Sequence, residues 1–177
     1  MNIACLARRN SLISSITLVI AFTILMVISA YVRIPLFFTP VPITMQTFTL
    51  FLSIVVLGRR AFFPQLSYIL LGVGGLPVFT NGGAGFIYLL GPTGGYIVGF
   101  LLAALILPFC LPEQRTFLKM FFVFLLGALI YYLSGVSWLV FFHKFTLLAA
   151  LAAGVLPFIL ADIVKIVLVS FLALKGK

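Results

Sequence analysis

An acid and a base lie close together near the C-terminal end of the chain, within the apolar stretch VLPFILADIVKIVLVSFLALK. Asp162 and Lys165 are three positions apart, so they share one face if this stretch is helical. A charged side chain at the centre of a bilayer costs about 2.5–3.5 kcal/mol on insertion scales, so such residues usually serve a function. A carboxylate only accepts hydrogen bonds and an ammonium group only donates them. The pair therefore suits a ligand with both N–H donors and a carbonyl or carboxylate, and a purely structural ion pair is the alternative.

The second candidate is a glycine-rich segment, GLPVFTNGGAGFIYLLGPTGGY, which covers residues 75–96 and contains seven glycines and no charge. Gly82 and Gly83 allow positive φ angles and a close approach of the backbone to a ligand. Asn81 can both donate and accept hydrogen bonds through its amide. A plain turn between two spans is the alternative, although such a turn needs only a few of these residues. We expect the segment to fold back over the protein and to form one wall of a binding cavity.

Other residues could complete this cavity. Phe79 and Tyr88 flank the glycines and could stack on a small ring system. Gly91 and Thr93 lie where the next helix begins, and backbone N–H groups at a helix start can meet an anionic group. Gln46, in VPITMQTF, is a lone amide near one end of a predicted span and could line the same cavity.

The composition shows what kind of protein positions these residues. Of 177 residues, 64% are hydrophobic and only 7% are charged, with a mean hydropathy of +1.38, far from the values of soluble domains. About 20 apolar residues cross a bilayer as a helix. We therefore predict an all-α membrane protein with six transmembrane helices in a single domain, residues 1–177. The predicted spans are approximately 11–31, 43–57, 62–78, 90–109, 117–140 and 147–174.

The basic residues predict the orientation of these spans. Eight of them fall on one side of a six-span arrangement: Arg8, Arg9, Arg59, Arg60, Arg115, Lys119, Lys175 and Lys177. Only Arg33 and Lys144 fall on the other side, and a five-span arrangement would mix the two sets. Loops rich in Lys and Arg stay in the cytoplasm, so both termini are predicted to be cytoplasmic. The net charge of +9 thus reflects topology rather than binding to nucleic acid.

The inventory of reactive residues argues against an enzyme. The chain has one His, one Asp, one Glu and two scattered cysteines, too few for a metal centre or a Ser-His-Asp group. It has no phosphate-binding loop of the ATPase type, so a partner or an ion gradient would have to energise any transport. No cofactor is expected. Three functions stay open at this point: a ligand-capturing transport subunit, an oligomeric ion-coupled carrier or pore, and a membrane-embedded enzyme using Asp162.

Three stretches together resemble a known family. GLPVFTNGGAGFIYLLGPTGGYIVGF is similar to the signature of the BioY family, the biotin-binding substrate components of energy-coupling factor (ECF) transporters. VPITMQTF and PFILADIVKIVL agree with the same family, so the resemblance extends over nearly the whole chain.

This resemblance implies a six-helix protein of the bacterial cytoplasmic membrane that captures biotin from outside. It would work with a transmembrane coupling protein and two cytoplasmic ATPases. Asp162 and Lys165 match the polar pair that lines the biotin site, and Asn81–Gly85 matches the loop that closes over the ligand. Members often carry an Ala-x-x-x-Ala patch on the first helix for docking to the coupling protein, where this chain has Thr17 and Ala21.

Overall fold

The computed structural model describes the backbone of residues 3–175 and the side chains of residues 14–174. Within this range the chain forms eight α-helices and one small antiparallel ribbon of two two-residue strands. The helices are α1 (Ile3–Tyr31), α2 (Gln46–Leu57), α3 (Phe62–Val73), α4 (Phe86–Leu89), α5 (Gly94–Cys110), α6 (Phe117–His143), α7 (Leu147–Gly154) and α8 (Ile159–Lys175). The strands are β1 (Arg33–Ile34) and β2 (Ile43–Thr44), and 3₁₀ turns occupy Gly58–Ala61 and Thr80–Gly82.

The long helices are apolar on every side, which is typical of helices surrounded by lipid. In α6, for example, Phe124 and Leu139 are fully buried, whereas Phe122 and Leu133 are more than half exposed. Large apolar side chains on the outside of a soluble helix would be unfavourable, but lipid tails solvate them well. The pattern confirms the predicted helical membrane protein.

Helices α2 and α3 form a hairpin, although together they make one continuous apolar stretch, Gln46–Val73, of 28 residues. The side-chain amide of Gln46 donates to the hydroxyl of Tyr68 over 2.9 Å, across 22 positions of sequence. A straight helix would separate these residues by about 33 Å. The chain therefore reverses in the 3₁₀ turn, where Gly58 has a φ of +56° that a side chain would disfavour.

Length and composition alone identify fewer spans than the six predicted. Three stretches of the described chain are long and apolar enough to cross a membrane: Ser14–Tyr31, Gln46–Val73 and Phe117–His143. Helices α7 and α8, bent by 51° at the break between them, make a fourth if they count as one span. Six crossings therefore stay a prediction.

Several predicted boundaries differ from the observed ones for local reasons. The second span begins at Gln46 rather than at residue 43, because Ile43 and Thr44 pair with β1. The third ends at Val73 rather than at residue 78, since glycines follow it. The sixth is broken between α7 and α8, next to Pro157, which has no N–H to continue the helical hydrogen bonds.

Side-chain contacts define two ends of the bundle. At one end, called the basic end, Arg60 donates to Ser15 and the Arg59 guanidinium lies 4.7 Å from the centre of the Phe109 ring. At the opposite end, called the cavity end, the Tyr31 hydroxyl donates to the carbonyl of Pro77. The six longer segments run alternately between these ends, with α1, α3 and α6 in one direction and α2, α5 and α8 in the other.

Two glycines allow α5 and α6 to pack closely. A Cβ atom at Gly95 would lie 2.2 Å from Cβ of Trp138, and one at Gly99 would lie 2.6 Å from Cα of Tyr131. Such contacts are impossible without separating the helices. These two glycines, four positions apart on α5, let the helices approach closely, and this packing fixes the position of Tyr131.

Candidate functional site

Asp162 and Lys165 form a buried ion pair on the first turns of α8. Lys165 Nζ lies 2.9 Å from Asp162 Oδ1, and the two residues are only 7% and 5% exposed. The same ammonium group donates to the backbone carbonyl of Thr44 over 2.7 Å and to Thr47 Oγ1 over 3.0 Å. All three of its N–H donors therefore have partners.

The carboxylate of Asp162 is equally well paired. Thr47 donates its hydroxyl to Oδ1 over 3.0 Å, and the hydroxyls of Tyr131 and Tyr132 each donate to Oδ2 over 2.7 Å. A buried charge needs such compensation, because removing one partner of a buried pair costs about 3–5 kcal/mol. We call these five residues, Asp162, Lys165, Thr47, Tyr131 and Tyr132, the floor.

The floor lies beneath a small cavity at the cavity end of the bundle. The cavity has a volume of about 50 Å³, which is room for a few water molecules. It is lined by the floor and by Val41, Pro42, Thr44, Gln46, Thr80, Thr93, Tyr96, Ile97, Phe100 and Phe158. Apolar walls over a polar floor are the usual plan of a small-molecule site, in which a few polar groups orient the ligand. The floor offers one acceptor and one donor of opposite charge.

The structure brings four of the predicted site residues to this cavity: Asp162, Lys165, Gln46 and Thr93. Gln46 is already engaged, because its amide nitrogen donates to Tyr68 and its amide oxygen accepts from Thr44 over 3.3 Å.

The remaining predicted residues lie in the cover segment, residues 77–91, but do not line the cavity. Phe79 and Tyr88 stack on each other, with ring centres 4.8 Å apart, and Gly83 makes room for the Tyr88 ring. Asn81 and Gly82 have the positive φ angles expected of this segment, 65° and 70°. The amide oxygen of Asn81 accepts a hydrogen bond from Arg33 over 2.6 Å.

Two further contacts tie the end of the cover segment to α6. The backbone carbonyl of Gly91 accepts a hydrogen bond from the indole of Trp138 over 3.1 Å. A ring nitrogen of His143 lies 3.1 Å from the carbonyl oxygen of Leu90. From the cover segment, Thr80 alone is among the residues that line the described cavity.

Sequence reasoning missed Thr47, Tyr131 and Tyr132, although all three contact Asp162. Thr47 lies in the stretch VPITMQTF, where the amide of Gln46 drew attention instead. The two tyrosines are adjacent in an apolar helix, which is a signal in itself because buried hydroxyls need partners. Which acid they meet depends on how α6 packs against α8, and no local pattern reports that.

The predicted docking residues lie elsewhere. Thr17 and Ala21 are on the exposed side of α1, whereas Phe22 beside them faces the core. Among the described residues, no three His, Cys, Asp or Glu side chains come together as a possible metal site.

Comparison with known proteins identifies the family of the chain. The sequence model of the BioY family matches residues 4–177. The chain belongs to the BioY family. The resemblance found in the three sequence stretches is thereby confirmed.

Individual members of the BioY family agree closely. The biotin transporter BioY of Thermotoga maritima is 38% identical over 157 residues, which are 88% of this chain and 91% of that protein. Biotin transporter BioY2 of Lactococcus lactis subsp. cremoris is 33% identical over 94% of this chain and 91% of its own length. These relatives are named as transporters, which confirms the expectation that this BioY family member is not an enzyme.

A solved structure shows the same fold. The crystal structure of the S-component for biotin from an ECF-type ABC transporter superposes with a TM-score of 0.87 at 27% identity. The match covers 94% of this chain and 92% of the other. The expected S-component-like bundle is therefore confirmed.

Proposed function

We propose that the chain is a biotin-binding membrane subunit, which captures biotin from the extracytoplasmic side and delivers it inward together with an ECF module. The module would consist of a transmembrane coupling protein and two cytoplasmic ATPases, and the membrane would be the bacterial cytoplasmic membrane. The observation that carries the proposal is the buried Asp162–Lys165 pair at the floor of a cavity in a BioY family member. The names of the relatives supply the ligand.

The chemistry of the floor suits the ureido group of biotin. That group has two N–H donors and one carbonyl, and the floor holds a carboxylate acceptor 2.9 Å from an ammonium donor. The neutral ureido ring costs less to bury than the carboxylate tail of biotin, because an ion loses more hydration. We therefore place the ring against Asp162 and Lys165 and the tail toward the mouth of the cavity.

Binding on this floor requires a change of partners. Both carboxylate oxygens of Asp162 and all three N–H donors of Lys165 are engaged within the protein. A ligand N–H would replace one tyrosine hydroxyl at Asp162, so the carboxylate would keep its number of hydrogen bonds.

The alternating course of the chain between the two ends supports six crossings. Arg59 and Arg60 lie at the basic end, and Arg115 and Lys119 follow α5 and begin α6 at the same end. By the positive-inside rule this end faces the cytoplasm, which places both termini there and the cover segment outside. The residues 1–177 would form one domain. Thr17 and Ala21, on the exposed side of α1, would contribute to the surface that meets the coupling protein.

Titration calorimetry of the detergent-purified chain with biotin tests the proposal. We expect tight one-to-one binding, and a loss of at least a hundredfold in affinity for Asp162→Asn and for Lys165→Ala, because each leaves a buried charge without its partner. Lys119→Ala is a matched control, since Lys119 is exposed and lies far from the cavity.

Two outcomes would contradict this reading. If folded, monodisperse protein releases no heat on titration with biotin, biotin is not the ligand. If both variants still bind biotin tightly, biotin is the ligand but Asp162 and Lys165 have only a structural role.

A further inference from the structure

The β-ribbon connects the floor of the cavity to the cover segment. On β2, the backbone carbonyl of Thr44 accepts a hydrogen bond from Lys165 over 2.7 Å. Thr44 is paired with Arg33 across the ribbon. A ligand that displaces Lys165 therefore acts directly on β2. Because β2 is hydrogen-bonded to β1, the displacement is passed on to Arg33.

On its other side, Arg33 reaches the cover segment. Its guanidinium group donates to the amide oxygen of Asn81 over 2.6 Å. Four residues earlier in the segment, the carbonyl of Pro77 accepts from the hydroxyl of Tyr31, which ends α1. The part of the cover segment that contains Thr80 is thus tied at two points to the start of the ribbon.

From these contacts we propose that Arg33 is a positioning residue that latches the cover segment in its closed place. It does not line the cavity. It acts through Asn81, whose chain neighbour Thr80 does line the cavity and is only 7% exposed. Because the ribbon also carries the Thr44 carbonyl that holds Lys165, closure of the cover segment and occupation of the floor are coupled.

The position of the latch suits a contact that opens and closes. The hydrogen bond between Arg33 and Asn81 lies at the exposed edge of the fold, where water competes for both groups. An arginine gives a strong directional donor there. Asn81 adopts a φ of 65°, a conformation that asparagine tolerates better than most residues, so its amide is held toward Arg33 at little cost.

Cysteine labelling at Thr80 tests the latch without any ligand. In the full chain carrying Cys5→Ser, Cys110→Ser and Thr80→Cys, a membrane-impermeant maleimide reacts only when the cover segment opens, because residue 80 is buried. We expect Arg33→Gln to raise the labelling rate about fivefold, the effect of losing one hydrogen bond of ordinary strength, because water competes for both groups at the exposed edge. Lys144→Gln is the matched control, since it removes an exposed cation at the same end of the bundle.

A double-mutant cycle separates a latch from a general loosening. Asn81→Gly removes the acceptor but keeps a residue that accepts positive φ. We expect it to raise the labelling rate as much as Arg33→Gln does, and the double variant to be no faster than either. An unchanged rate in Arg33→Gln, an equal rise in Lys144→Gln, or rates that multiply in the double variant would each overturn the latch.

The rate of biotin dissociation tests whether the latch is coupled to ligand binding, and this test rests on the proposed function. In protein with Thr80 intact, Arg33→Gln should release labelled biotin several-fold faster, because the cover segment opens more often over the bound ligand. If no variant binds biotin while labelling still responds to Arg33→Gln, the proposed ligand fails and the latch stands. If biotin binds and its release is unaffected by Arg33→Gln, the coupling is overturned.

Discussion

The floor and the cover segment are built on opposite principles. In the floor, Asp162 and Lys165 are buried between α2, α6 and α8, and every polar atom of the pair has a partner from these helices or from β2. In the cover segment, the backbone takes positive φ at Asn81, Gly82 and Gly85, and much of it is exposed. The hydrogen bonds of the floor are buried away from water, whereas those of the cover segment compete with water. We therefore expect the floor to recognise the ligand and the cover segment to move.

The largest effect should come from breaking the buried pair one member at a time. Asp162→Leu and Lys165→Leu each leave an unpaired buried charge, so each should lower the free energy of unfolding by about 3–5 kcal/mol. The double variant has no such charge and should be more stable than either single variant, yet it should not bind biotin. Denaturant titration in detergent and calorimetry measure the two properties separately.

Val164→Leu is the control for this experiment, because Val164 lies between the pair on the exposed side of α8. It should change neither property. A double variant no more stable than the weaker single variant would mean that the orphaned hydroxyls, not the charges, dominate the floor.

A smaller effect should follow from removing one hydroxyl, and it should depend on the region. Tyr131→Phe removes a fully buried donor to Asp162, and hydrogen bonds to charged groups contribute about 1.5–3 kcal/mol, so the free energy of unfolding measured by denaturant titration should fall by about that amount. Tyr88→Phe makes the same chemical change in the cover segment, where the hydroxyl donates to the Thr80 carbonyl over 3.1 Å. Its free energy of unfolding should fall by about 1 kcal/mol or less, because that bond joins two neutral groups. Equal losses in the two variants would erase the distinction between the regions.

The smallest effect on stability should come from the backbone of the cover segment. Gly82 has a φ of +70°, and a Cβ there costs about 1–2 kcal/mol in strain. Gly82→Ala should therefore open the cover segment more often and speed biotin dissociation several-fold, while the unfolding midpoint of the bundle hardly moves. Stopped-flow or filter measurements of labelled biotin report the rate.

Ala84→Ser, at an exposed neighbouring position, should leave the dissociation rate unchanged. A large fall in global stability for Gly82→Ala would show instead that the cover segment belongs to the folding core.

Much of the floor could be found from the sequence because charge is rare in this chain. With one Asp in an apolar stretch and a Lys three residues later, Asp162 and Lys165 stood out by their cost in a membrane. Their hydroxyl partners did not stand out, because a hydroxyl group costs little free energy to place in a transmembrane helix and is common there. Thr47 is 115 residues from Asp162, and the contact exists only because α2 packs beside α8.

The cover segment shows the reverse situation. Its glycines and the positive φ at Asn81 and Gly82 agree with what the sequence indicated. The direction in which its side chains face did not follow from the sequence, because glycine-rich backbone has several accessible courses. Phe79, offered as a ring for a ligand to stack on, stacks on Tyr88 and fills the space beside Gly72.

Composition and local spacing by themselves indicated a helical membrane protein with one charge pair in an apolar stretch and one glycine-rich segment, and three motif stretches added the resemblance to the BioY family. These features follow from solvation cost and backbone freedom, which act within a few residues. Only the tertiary structure decided that Tyr131 and Tyr132 complete the floor, that the last span bends between α7 and α8, and that Arg33 meets Asn81. Those results depend on how whole helices pack, and a contact across 48 or 115 positions leaves no signal in the local pattern of either partner.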